Sequence, residues 1–172
     1  MPHEIRPGTA ADAPAVAALH SASWLSAYTG LVPAEALGDG LAEERRELWE
    51  LRLGVDYGEP ANTPLLLLAE RAGELDGFAY LVPQPDGRVL LDNLHVRPGR
   101  TGGGIGARLL AAGRAHFPDR TLYLEVLQAN TRAIAFYRRA GGVRTGDRIG
   151  WFPGGHRLPE YEYSFPVTPP TR

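Results

Sequence analysis

Between Leu90 and Leu110 the chain reads LLDNLHVRPGRTGGGIGARLL, with glycine at 102, 103, 104 and 106. Apolar residues at helical spacing (Ile105, Leu109, Leu110, Ala112) overlap the end of this run, so it describes a turn feeding a helix N-terminus. The first turn of a helix has N–H groups without intrahelical partners and lies at the positive end of the dipole. Glycine lets an anion approach that backbone closely. The chemistry these residues suit is phosphate binding, with a merely flexible helix start as the plain alternative. A second group, His20, Trp24 and Tyr28, recurs every four residues as a partly polar aromatic stripe. It fits either core packing or the wall of a small-molecule pocket.

Composition removes several chemistries. The chain has 172 residues and no cysteine, so disulfides, thiolate metal sites and cysteine nucleophiles are excluded, and no metal is expected. All 18 basic residues are arginine. Without lysine there is neither a Walker A phosphate loop nor Schiff-base chemistry. A net charge of −2 gives no electrostatic reason to expect nucleic acid or an anionic membrane. No apolar run approaches the roughly 20 residues of a bilayer span. The opening MPHEIRPG has no signal-peptide apolar region, and a cytoplasmic location is expected.

The elements that must position these residues follow from pattern and punctuation. A short strand at Glu4-Ile5-Arg6 ends at Pro7-Gly8. Thr9 or Asp12 caps a helix running to about Tyr28, with Val16, Leu19 and Ala27 on its buried side. A second amphipathic helix covers Leu41 to Leu53, with Leu48, Leu51 and Trp49 inward. Strands over Leu65–Glu70, Leu75–Val82 and about Val89–Val96, joined by short turns, form an antiparallel meander, and Gly77 marks a bulge or a close approach. After the glycine turn come a helix to about His116 and a strand from Thr121 to Leu127. Asn130 or Thr131 caps a further helix, which Gly141-Gly142 ends. Two strands, Val143–Phe152 and Leu158–Phe165, close the chain. The expected architecture is a mixed α/β (α+β) sheet of about seven strands with about four helices, a single domain over 1–166 and a loose tail over 167–172. The strand–helix–strand unit is its parallel centre. The final strands offer an edge through which two copies could pair.

Gly102-x-Gly104-x-x-Ala107 also fits a dinucleotide fingerprint, with Glu125 at the spacing of a ribose-binding acid. However, five residues separate Val96 from the glycines, and too little chain follows Glu125 to build a second mononucleotide half.

Val96-x-Pro98 followed by Gly102-x-Gly104-Ile105-Gly106-x-x-Leu109-Leu110 resembles the acyl-CoA segment of the GCN5-related N-acetyltransferase superfamily. Asn130-x-x-Ala133-x-x-Phe136-Tyr137-x-x-x-Gly141 is similar to that family's second signature. His20-x-x-x-Trp24-x-x-Ala27-Tyr28-x-Gly30-Leu31-Val32-Pro33, with Arg45 and Trp49, is similar to one bacterial branch. Three positions depart from the pattern. Thr101 stands where Gln or Arg is usual, Gly103 where a basic residue is common, and Gly142 where Phe is usual. A cationic clamp on the pyrophosphate is then lost, or supplied by Arg100 or Arg108.

The resemblance implies a fold whose central parallel strands splay apart, acetyl-CoA as cofactor, and N-acetyl transfer to a primary amine of a small molecule by direct attack in a ternary complex. It places pyrophosphate on the N–H groups of Thr101, Gly102, Gly103, Gly104, Ile105, Gly106 and Ala107. Pantetheine lies along the backbone of Leu94 to Val96 and on Asn130. Tyr137 is the general acid, a phenol able to protonate a leaving thiolate. Glu125 or His95, acting through water, is the general base. His20, Trp24 and Tyr28 are the substrate-binding candidates. A non-catalytic acyl-CoA-binding or sensing module is the rival reading.

Overall fold

The computed structural model describes residues 1–38 and 40–167. Strand β1 (Glu4–Pro7) leads into helices α1 (Ala13–Tyr28) and α2 (Leu41–Gly54). The meander β2 (Leu65–Arg71), β3 (Glu74–Pro83), β4 (Val89–Val96) follows, then α3 (Ile105–His116), β5 (Leu122–Leu127) and α4 (Thr131–Arg139). A hairpin of β6 (Val143–Phe152) and β7 (His156–Phe165) completes the sheet, whose order is β1-β2-β3-β4-β5-β7-β6. The anticipated mixed seven-stranded sheet is what forms, and the tail from 168 onward lies outside the described residues.

Local chemistry sets the element ends. Thr9 and Asp12 cap the entry to α1, the Thr9 N–H donating to Asp12 Oδ2 at 2.7 Å. Gly141, at φ +96°, supplies the left-handed residue that stops α4. Helices cover both faces of the sheet. On one face α1 and α2 pack Val16, Leu19 and Trp49 against Leu66, Leu68, Phe78 and Tyr80. On the other, α3 and α4 pack Ile105, Leu109, Leu110 and Ile134 against Leu81, Leu91, Leu122 and Leu124. Gly77 marks both features its type suggested. The β2–β3 register slips beside it, and a Cβ there would lie 2.9 Å from Ile105 Cγ2 and 3.1 Å from the His95 carbonyl oxygen. The bare backbone at Gly77 therefore lets the first turn of α3 seat against β3.

Two expected placements are corrected, and one strand departs from simple alternation. Leu51 is exposed and Trp49 is fully buried, because two residues turn a helix by about 200° and only one of the pair can face inward. Ala27 shares its stripe with Val16 but is exposed, since α1 there overhangs a cleft rather than the sheet. Strict alternation along a strand would set Asp92 on the face of Leu94. Instead β4 bulges, with Leu81 opposite Leu91 and Tyr80 opposite Asn93, which leaves Asp92 as the extra residue. Asp92 is thereby aimed at α2, where it pairs with Arg52 at 2.8 Å.

The centre of the sheet opens. Strands β4 and β5 pair only at Val89↔Leu122 and Leu90↔Tyr123. Beyond that, β4 stays with β3 as far as Val96 and β5 stays with β7 as far as Leu127. The Arg97 N–H donates to the Asp76 carbonyl of β3. By the period of two, Leu94 and Val96 then direct their main-chain groups into the gap.

Candidate active site

The glycine turn lies at the mouth of this gap. Gly102 (φ +87°) and Gly104 (φ +82°) occupy the left-handed region, and Gly104 is the N-cap of α3. Gly106 sits in a close-packed spot, where a Cβ would meet Phe136 tightly at 3.3 Å and touch Val96 at 3.7 Å. The Arg108 N–H is the first that the helix takes up, donating to the Gly104 carbonyl at 3.1 Å. Among the described residues the N–H groups from Thr101 to Ala107 have no main-chain partner. They form an anion cradle at the positive end of the α3 dipole.

One cleft of about 980 Å³ runs from this cradle through the splay. Leu94, Val96, Thr101, Gly102, Gly104, Ile105, Gly106, Ala107, Asn130 and Tyr137 line it, as do His95, Tyr28 and Glu125 from the α1 side. Asn130 caps α4, its Oδ1 accepting from the Ala133 N–H at 3.2 Å, and this leaves the Nδ2 donors free. Burial, with Tyr28 nearby, pushes the Tyr137 phenol above its ordinary pKa. Among the described residues the Tyr137 hydroxyl has no hydrogen-bond partner, so at neutral pH it holds its proton unshared.

His95 is buried between Ser23 Oγ, 2.9 Å from Nδ1, and Asn93 Oδ1, 3.3 Å from Nε2. Asn93 donates its amide to Asp92 Oδ2 at 2.8 Å, so its Oδ1 is free to accept. That assigns the His95 proton to Nε2, and the Ser23 hydroxyl then donates to Nδ1. Burial, aided by the Arg45 charge, lowers the pKa of His95 to about 4, and the ring is neutral at physiological pH. Glu125 reaches the cleft with its carboxylate paired to Arg148. Arg148 also lies 3.4 Å from Glu160.

A family model described as the acetyltransferase (GNAT) family matches residues 23–142. This chain belongs to the GNAT family. A probable N-acetyltransferase of Mycobacterium tuberculosis is 28% identical over 92% of this chain and 91% of its own length. A mycothiol acetyltransferase of Salinispora arenicola is 30% identical over 85% of this chain, which spans only 45% of that relative. The fold matches the Thermoplasma acidophilum PaiA N-acetyltransferase solved with coenzyme A, at TM-score 0.72, 20% identity and coverage of 95% and 98% of the two chains. The chain is an acetyl-CoA-dependent N-acetyltransferase, and the cradle, the splay and the free Asn130 amide fit the diphosphate and extended amide arm of that cofactor.

Against this GNAT frame the aromatic stripe divides. His20 is 3% exposed, accepts from Trp49 Nε1 at 3.0 Å and lies edge-on to Phe78, so it is a core residue rather than a pocket wall. Burial, then His95, then Arg45 and Arg52 drive its pKa down to about 2, leaving no proton for chemistry. Trp24 stands behind Tyr28, ring centroids 4.2 Å apart, and only Tyr28 of the three borders the cleft. Of the two expected arginine clamps, Arg100 borders the cleft beside the cradle and Arg108 is turned away from it. Arg108 donates to the His3 carbonyl, and Arg100 lies 4.0 Å from the buried Asp76. A further cation beside the cradle is Arg132, whose Nη2 donates to Thr101 Oγ1 at 2.8 Å.

Sequence reasoning passed over Arg132 and Ser23. Arg132 sits two residues past a helix cap and carries no mark of its own. Ser23 did carry a signal, because it continues the buried stripe of Val16 and Leu19 with a hydroxyl.

Proposed function

We propose that this enzyme transfers the acetyl group of acetyl-CoA to the primary amine of a small molecule, by direct attack within a ternary complex. One observation carries the reading: a single cleft joins the anion cradle on the α3–α4 side to His95, Glu125 and Tyr28 on the α1 side, with the unshared Tyr137 hydroxyl on its wall. Acetyl-CoA supplies the activated acetyl thioester. The N–H groups from Thr101 to Ala107 and the Arg132 guanidinium hold its diphosphate. The main-chain groups of Leu94 and Val96 pair with its amide arm, Asn130 Nδ2 adds a donor, and a free strand N–H polarises the carbonyl.

Tyr137 holds a proton at Oη and delivers it to the departing thiolate. Ser23 passes the proton of the attacking amine to His95 Nδ1, in place of the water first expected. Glu125, already shared with Arg148, attracts the incoming ammonium. A phenol general acid contributes roughly 10²- to 10⁴-fold. Following free thiol with acetyl-CoA and a panel of small amines tests the reading. Turnover is expected with at least one amine, together with a loss of that order in Tyr137→Phe at unchanged CoA affinity. Coenzyme A binding without thiol release from any amine would instead favour a sensing module.

A further inference from the structure

Among the described residues, the buried side-chain polar atoms without a hydrogen-bond partner are Trp24 Nε1, Arg45 Nε and Arg52 Nη1. All are donors, and all lie on α1 and α2 in the layer behind the acceptor half of the cleft. A buried donor left unpaired is costly, and one seam holding all three calls for an acceptor. Arg52 is already neutralised by Asp92 at 2.8 Å. Arg45 has no ion pair or hydrogen bond among the described residues, and its guanidinium rests 4.8 Å from the Trp24 ring centroid. Trp24 in turn stacks on Tyr28, a wall of the cleft. The Arg45 charge also bears on both Tyr28 and His95. Across the cleft, Glu125 and Glu160 share the single Arg148, which leaves a net negative charge there, while Arg45 is an unpaired positive charge among the described residues on the α1–α2 side.

Resting on the N-acetyltransferase reading, we infer that the acceptor amine carries a carboxylate, received by Arg45 Nε–H and Trp24 Nε1–H. The acceptor class is therefore an amino acid or a similar amino-carboxylate. One unpaired guanidinium matches a monoanion, and a second unpaired N–H donor on the ring that this guanidinium overlies matches the second oxygen of a carboxylate. A bare cationic amine would meet Arg45 as a like charge. Both donor atoms are shielded in the present arrangement, so the carboxylate reaches them as the Tyr28–Trp24 stack shifts, which makes the Trp24 indole a reporter.

The test has two arms. In the first, the 15N-labelled full chain with coenzyme A is titrated with N-acetyl amino acids and with the matching neutral N-acetyl amino acid amides. The Trp24 indole N–H signal, assigned with Trp24→Phe, is expected to move saturably with at least one carboxylate and not with its amide. Arg45→Leu should abolish that movement, and Arg45→Gln serves if the leucine variant does not fold. In the second arm, thiol release is compared for tyrosine with tyramine, alanine with ethylamine, and lysine with cadaverine. The carboxylated member of a productive pair should have a kcat/KM at least ten-fold higher, a preference that Arg45→Leu erases. An indole signal silent to every carboxylate, or decarboxylated amines used equally well, overturns the inference and leaves the transferase reading intact. An indole that responds while no amine releases thiol supports the carboxylate site and counts against the small-amine reading.

Discussion

On the α3–α4 side the cleft is walled largely by main chain: left-handed glycines, unpaired N–H groups and the free edge of β4. On the α1–α2 side it is walled by side chains locked to one another, from Ser23 through His95, Asn93 and Asp92 to Arg52. The first surface suits a ligand that never varies, because backbone donors are indifferent to most neighbouring side chains. The second suits selection, because each polar group there is buried and one altered partner leaves another unsatisfied.

If the two halves are as distinct as they look, substitutions should separate donor binding from acceptor chemistry. The largest effect is expected from His95→Gln, which keeps an amide at the site but cannot take a proton. It should lower kcat/KM for the amine by roughly 10²-fold or more while the CoA dissociation constant, measured by calorimetry, stays within a few-fold. Equal damage to both quantities would erase the distinction.

The buried histidines make the acceptor side acid-sensitive. His95 and His20 have folded pKa values of about 4 and about 2, below the ordinary 6.5 of the unfolded chain. Between those limits the unfolded state binds more protons, so stability is full above pH 6.5 and is lost as pH falls toward 4. Burial of His95 alone accounts for a loss on the order of 3 kcal/mol. Urea unfolding at pH 7 and pH 4.5 checks this, and His20→Phe should shrink the difference.

On the donor side, Gly104→Val forces a β-branched residue into the left-handed region at a cost of about 1–3 kcal/mol. Coenzyme A binding should weaken by roughly 10- to 100-fold, while an acceptor-side carboxylate still shifts the Trp24 indole. The smallest effect belongs to Arg132→Ala. The exposed Arg132 adds charge beside Thr101 rather than shape, so CoA affinity should drop by about 1 kcal/mol at low salt and by less at high salt. A salt-independent loss would mean that Arg132 holds the turn itself.

Sequence alone determined what depends on neighbours along the chain. The glycine turn, the caps at Thr9 and Asn130, the closing hairpin and the strand from Thr121 to Leu127 were all legible, because dihedral freedom, capping and periodicity are local. The family signatures placed the CoA segment for the same reason, since a cradle of main-chain groups needs contiguous residues. Only the tertiary structure decided the acceptor half. The bulge at Asp92, the sinking of His20 into the core, the pairing of Arg132 with Thr101 and the isolation of Arg45 each depend on which distant side chain arrives opposite. Burial and hydrogen-bond satisfaction are properties of the packed whole, and residues 72 positions apart, such as Ser23 and His95, carry no mark of their meeting.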